Sequence, residues 1–177
     1  VGETLGETPS HPQKDQLPIE FFNLFNYAMA CRTYLGSRLL DVLASLDYLR
    51  DGDILIHGRR LGSVLSLMAA VIDERIGEVV CEDGPASYNF IAVNDYYDYA
   101  PSYFVAGLLE YFDLQDLAAS LPPKKLTMLN LRDHSGQIVP IDELTHLYAP
   151  VLESYKETGY PERITIKNTL PTLSLRI

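Results

Sequence analysis

Ile54-Leu55-Ile56-His57-Gly58-Arg59-Arg60-Leu61-Gly62-Ser63-Val64-Leu65 is the stretch from which the fold can be read. It follows the turn signal Asp51-Gly52, and its first three residues form a short unbroken apolar run of the kind that central parallel strands show. After the turn bounded by Gly58 and Gly62, the apolar residues Leu61, Val64, Leu65, Met68, Val71 and Ile72 recur on one helical face, which Asp73-Glu74-Arg75 ends. A second apolar run, residues 76–81, then reads as another buried strand. Strand, glycine-bounded turn, apolar helix and strand make one βαβ unit.

Outward from this unit the alternation continues. Residues 105–121 predict a helix stopped by Pro122-Pro123, residues 126–131 a third strand, and residues 141–158 a helix bent or restarted at Pro150 and closed by Gly159. Residues 163–167 supply a fourth strand. Upstream, residues 19–31 are dense in Phe, Leu, Tyr and Met, and after Gly36-Ser37 the series Leu39, Val42, Leu43, Leu46, Leu49 predicts a buried helical face. The expected class is α/β, a parallel sheet of about four strands with helices on both faces and right-handed crossovers. Ligands in such sheets sit beyond the carboxyl ends of the strands. Here those ends are His57-Gly58-Arg59-Arg60, Glu82-Asp83-Gly84, Arg132-Asp133-His134 and Asn168-Thr169.

At 177 residues with 47% apolar content, the chain has room for the core of one domain, expected over residues 18–177 after a flexible polar arm, residues 1–17. A formal charge of −10 without any Lys/Arg cluster excludes nucleic acid and an anionic membrane surface as partners. No apolar run approaches the roughly 20 residues that span a bilayer, and the polar start is not a signal peptide. Because the chain begins at Val1, it is expected to be a processed product or part of a longer protein. Cys31 and Cys81 are expected to be free core thiols. His11, His57, His134 and His146 are scattered without metal-ligand spacing, so no metal is expected. Gly58 to Gly62 is spaced G-x-x-x-G and lacks a Walker lysine, so no phosphate-bearing cofactor is expected either. Asp47, Asp51 and Asp53 read as an exposed turn, and Glu82-Asp83 as a solvated loop.

Gly58-Arg59-Arg60-Leu61-Gly62, between a strand and an apolar helix, has the form of the nucleophile elbow G-x-S-x-G. Together with Arg38, Asp41 and Asp47-Tyr48-Leu49 before it, and Ala69-Ala70, Asp73, Arg75-Ile76 and Val79-Val80 after it, the stretch resembles the acetylxylan-esterase and dienelactone-hydrolase-like branch of the α/β-hydrolases. The resemblance covers about residues 34–167. It implies a partial α/β-hydrolase fold, the C-terminal half, in which Asp133, after Leu129-Asn130-Leu131-Arg132, holds the position of the triad acid. The nucleophile position falls on Arg60, which has no hydroxyl and stays protonated. Ser63, one turn into the helix, is the replacement candidate. No histidine follows the fourth strand, and His134 reads as a loop residue beside Asp133. Nothing before Ile54 reads as a strand, which removes the loop that carries the family's second oxyanion donor.

The expectation is a catalytically inactive hydrolase-like module with a role in assembly or carbohydrate binding. The alternative is a carbohydrate acetyl esterase completed by another chain or by an unrecognised nucleophile. In the tyrosine-rich stretch, Tyr88, Tyr96 and Tyr97 are the candidates for stacking on a sugar. Expected partners are a second copy or a complementary hydrolase half, meeting the Ile54-Leu55-Ile56 strand at a sheet edge. The resemblance places the protein outside the cell or in the periplasm. In the former active site, Arg60 is expected to pair with Asp133, or else with Glu82.

Overall fold

The structure is a computed structural model and describes residues 19–49 and 52–169. The expected arm, residues 1–17, and Asp51 of the expected turn lie outside the described residues. Strands β1 (Ile54–Arg59), β2 (Ile76–Glu82), β3 (Lys125–Leu129) and β4 (Ile164–Lys167) form one parallel sheet in the order β1-β2-β3-β4. Before it come α1 (Ile19–Met29) and α2 (Tyr34–Leu46). Between the strands lie α3 (Leu61–Ile72), α4 (Tyr88–Ala92), α5 (Leu114–Ala119), α6 (Ile141–Leu147) and α7 (Ala149–Glu157). The expected α/β class and four-stranded parallel sheet are therefore present.

Because the strands sit side by side in chain order, each right-handed crossover steps the same way and delivers its helix to the same face. Contacts agree: α3 packs on β1 and β2, α5 touches both α3 and α7, and α2 leans on α3. Beneath these helices run two apolar rows across the sheet, Ile56-Val79-Leu126-Ile164 and Gly58-Cys81-Met128-Ile166. Burial pushes the Cys81 thiol up to about 12, as expected of a core cysteine.

The opposite face is polar among the described residues, which refines the expectation of helices on both faces. Its rows are Leu55-Glu78-Lys125, His57-Val80-Thr127-Thr165 and Arg59-Glu82-Leu129-Lys167. An ion pair of 2.8 Å between Lys125 and Glu78 and a hydrogen bond of 2.9 Å between His57 and Glu82 lace it together. A face of this composition is compatible with water and requires no covering layer.

Local differences from expectation have local causes. Residues 105–121 are not one helix, because Gly107 adopts φ 76° before a 3-10 turn at Leu108–Glu110. The helix restarts at Leu114, where the Asp113 carboxylate and the Asp116 carboxylate form a reciprocal cap. α7 begins again after Leu147 with Pro150 in its first turn, where the missing N–H is harmless. Cys31 is exposed rather than in the core: α1 ends at Met29, and Cys31 turns with φ 52°. The helical face expected on α2 holds, with Leu46 buried and Leu39, Val42 and Leu43 partly buried against the core, while Leu49 lies past the helix end and is exposed.

Candidate functional site

Three consecutive strands end in the same way. Arg60, Asp83 and Asn130, each the first residue beyond its strand, have φ of 55°, 55° and 51°. Their N–H groups donate to the last carbonyl of the next strand: Arg60 to Glu82 at 2.8 Å, Asp83 to Leu129 at 3.0 Å and Asn130 to Lys167 at 3.2 Å. The ladder thus runs one residue further at each strand end, held in a backbone region that non-glycine residues seldom adopt.

At Arg60 this kink is the elbow. With φ 55° and ψ −120°, the chain turns from β1 into α3 and leaves the Arg60 side chain exposed at the carboxyl end of the sheet. Gly58 is required there, since a Cβ would collide with the Gly62 carbonyl and the Ser66 hydroxyl. Gly62 has open space around its missing Cβ. Of the two glycines in the pattern, only Gly58 is demanded by packing.

Ser63 is 4% exposed, and its hydroxyl donates to the Arg60 carbonyl at 2.8 Å. Its oxygen lies against Gly84, so it is packed beneath the elbow rather than presented above it. Asp133 turns inward on its own loop, accepting from Ser135 N at 2.8 Å, Ser135 Oγ at 2.9 Å and Gln137 N at 3.0 Å. Burial alone would raise its carboxyl, but these hydrogen bonds outweigh it and hold the group below its ordinary range. Tyr99 closes the loop by donating from its phenol to the Asp133 carbonyl at 2.9 Å.

The expected pairing of Arg60 with Asp133 is not what the side chains make, and Asp133 is satisfied within residues 133–137. The ion pairs lie one residue earlier on β1 and on the neighbouring strand end. Buried Asp83 accepts Arg59 Nε and Nη2 on Oδ2, both at 2.7 Å, and Arg132 Nη2 on Oδ1 at 2.7 Å. Arg132 adds Nε to the same oxygen at 3.2 Å and reaches the Gly136 carbonyl with Nη1 at 2.7 Å. Burial raises the Asp83 carboxyl, yet the two guanidiniums hold it below its usual value. Glu82, the alternative partner, pairs with His57 at 2.9 Å and has Arg59 at 4.0 Å. After β4, Thr169 and Asn130 exchange two hydrogen bonds of 2.8 and 3.1 Å.

One carboxylate thus ties the ends of β1, β2 and β3. The sequence placed Arg59, Asp83 and Arg132 at strand ends but read the Glu82-Asp83 pair as solvated. The missed signal was two arginines and an acid at the ends of adjacent strands.

The three candidate tyrosines separate. Tyr88 is buried and donates to the Tyr103 carbonyl at 2.7 Å, a core role. Tyr96 and Tyr97 are exposed, and the Tyr97 ring meets Phe104 edge-on at 5.2 Å.

No protein-family model and no curated protein matches the chain. Its fold is similar to the crystal structure of a Bacteroides fragilis protein provisionally described as an acetyl xylan esterase, with a TM-score of 0.62 at 15% identity. The match covers 85% of this chain and 40% of that one. The chain therefore shares that neighbour's α/β fold over the matched region and spans two fifths of its length. No described helix is long and apolar enough to cross a membrane.

Proposed function

We propose that this chain is a hydrolase-like module that does not itself hydrolyse esters and acts through association with a second copy or a complementary hydrolase half. The observation carrying the first part is the elbow, which is complete in its backbone but holds Arg60 at the apex. A guanidinium neither attacks a carbonyl nor takes up a proton at neutral pH. Ser63, the nearest hydroxyl in the pattern, is buried and already donates to the backbone. Asp133 accepts three hydrogen bonds on Oδ1 from its own loop, and no described histidine is hydrogen-bonded to it. Loss of nucleophile and base together leaves little beyond binding.

Support for the second part comes from the edge of the sheet. β1 is an outer strand among the described residues, and Leu55 on it is 55% exposed. Beside it, a groove between α2 and the end of α3 exposes Leu40 at 65% and Ile72 at 58%. Unpaired strand groups flanked by apolar side chains favour docking of another chain. The exposed Tyr96 and Tyr97 keep carbohydrate binding as a second reading, since amphipathic rings stack on sugar faces.

Turnover of an activated acetate ester by the purified chain tests the first part. We expect none above the uncatalysed rate, and none in Arg60→Ser, because a serine without a base stays unactivated. Turnover in the unmodified chain that disappears in Ser63→Ala would overturn the reading.

A further inference from the structure

A cleft of about 490 Å³ opens between α4, the loop after it and the 3-10 turn Leu108–Glu110. This falls within the volume range of small-molecule sites, about 300–1,000 Å³. It is separate from the elbow and from the Arg59-Asp83-Arg132 network: none of the residues lining it belongs to either. Its walls are mainly apolar, with Ile91, Leu108 and Leu109 alongside the edge-to-face rings of Tyr97 and Phe104.

Polar groups are few. Asn94 spends its amide N–H on the Phe90 carbonyl at 2.7 Å. Glu110 supplies the one carboxylate of the lining, and its side chain makes no hydrogen bond or ion pair with the described residues. Glu110 is exposed, and its Oε1 lies 3.8 Å from the position a Cβ would take on Gly107, an exposed residue of the same lining. An exposed carboxylate in the lining, aromatic rings beside it and a chain of net charge −10 all favour a cationic ligand. A neutral sugar would need more hydrogen-bonding partners than this mainly apolar and aromatic lining offers.

We propose that this cleft binds an organic ammonium ion with an apolar body, the charge at Glu110 and the body against Ile91, Leu108 and the Tyr97–Phe104 pair. The inference does not depend on the absence of esterase activity or on association. It adds a ligand site away from the strand ends.

Titration of the full chain with phenylbutylammonium, phenylbutanol and phenylbutyrate, followed by calorimetry, tests it. Saturable binding is expected in that order, with the ammonium about fivefold tighter than the alcohol, the scale of an exposed ion pair or cation–π contact. Glu110→Gln should bring the ammonium and the alcohol to within about twofold of each other, since only the charge is removed. Ala92→Trp, at an exposed position on the cleft wall, should abolish binding of all three while leaving the circular dichroism unchanged. No saturable binding, an ammonium preference that persists in Glu110→Gln, or binding that persists in folded Ala92→Trp would overturn the proposal. Binding of xylotriose with none of the ammonium would also overturn it and would favour the carbohydrate reading.

Discussion

Asp83 combines a left-handed backbone, deep burial and two guanidinium partners, so its removal isolates what the network contributes. Asp83→Asn keeps the shape but leaves Arg59 and Arg132 facing a neutral amide. Arg59 is largely exposed and Arg132 partly so, which screens the loss relative to a fully buried pair. The expected cost is about 1–3 kcal/mol at pH 7, measured by urea unfolding. The pH dependence has a definite sign. Because the folded carboxyl lies below its ordinary value of about 3.9, its contribution is complete above that value and is lost as pH falls through the folded pKa. The stability gap between the native chain and Asp83→Asn should therefore narrow on acidification below about pH 4. A gap that widens there would contradict the assignment. Arg59, Asp83 and Arg132 were legible in the sequence as strand-end residues, but their pairing was not. Which carboxylate meets which arginine depends on side-chain direction at the strand ends, and the elbow sends Arg59 rather than Arg60 toward Asp83.

For the β1–α3 element, packing makes opposite demands on two glycines that look equivalent in the sequence. A methyl at Gly58 would overlap the Gly62 carbonyl and Ser66 Oγ, and backbone cannot yield as a flexible side chain can. Gly58→Ala should cost about 3 kcal/mol or more, or prevent folding. At Gly62, on the first turn of α3, a methyl meets open space. Gly62→Ala should be neutral or stabilise by up to about 1 kcal/mol through helix propensity. Thermal melts of the two variants check the contrast, and equal destabilisation would refute it. The strand and α3 were legible because burial on a sheet and on a helix face leaves a strict apolar period. The break of residues 105–121 was not, since a left-handed Gly107 and an Asp113 cap interrupt a pattern whose hydrophobic content is continuous.

On the scale of the whole molecule, the two sheet faces and the β1 edge differ in what they expose among the described residues. The polar face can stand in water, whereas the β1 edge and the Leu40–Ile72 groove expose apolar surface. Sedimentation should show association that weakens by about tenfold or more in the double variant Leu40→Glu, Ile72→Glu, with little change in unfolding free energy because both side chains are already largely exposed. A monomer at high concentration, or association indifferent to both charges, would remove the groove from the interface.

The sequence by itself determined the α/β class, the four strands and the residues that stand at their carboxyl ends. These follow from periodicity, glycine placement and side-chain chemistry, all of which act over a few residues. Tertiary structure alone decided that the described crossover helices share one face, that Asp83 rather than Asp133 gathers the arginines, and that Tyr88 is buried while Tyr97 stays exposed. Those outcomes depend on strand order and on the direction of side chains brought together from distant positions, and no local pattern encodes either.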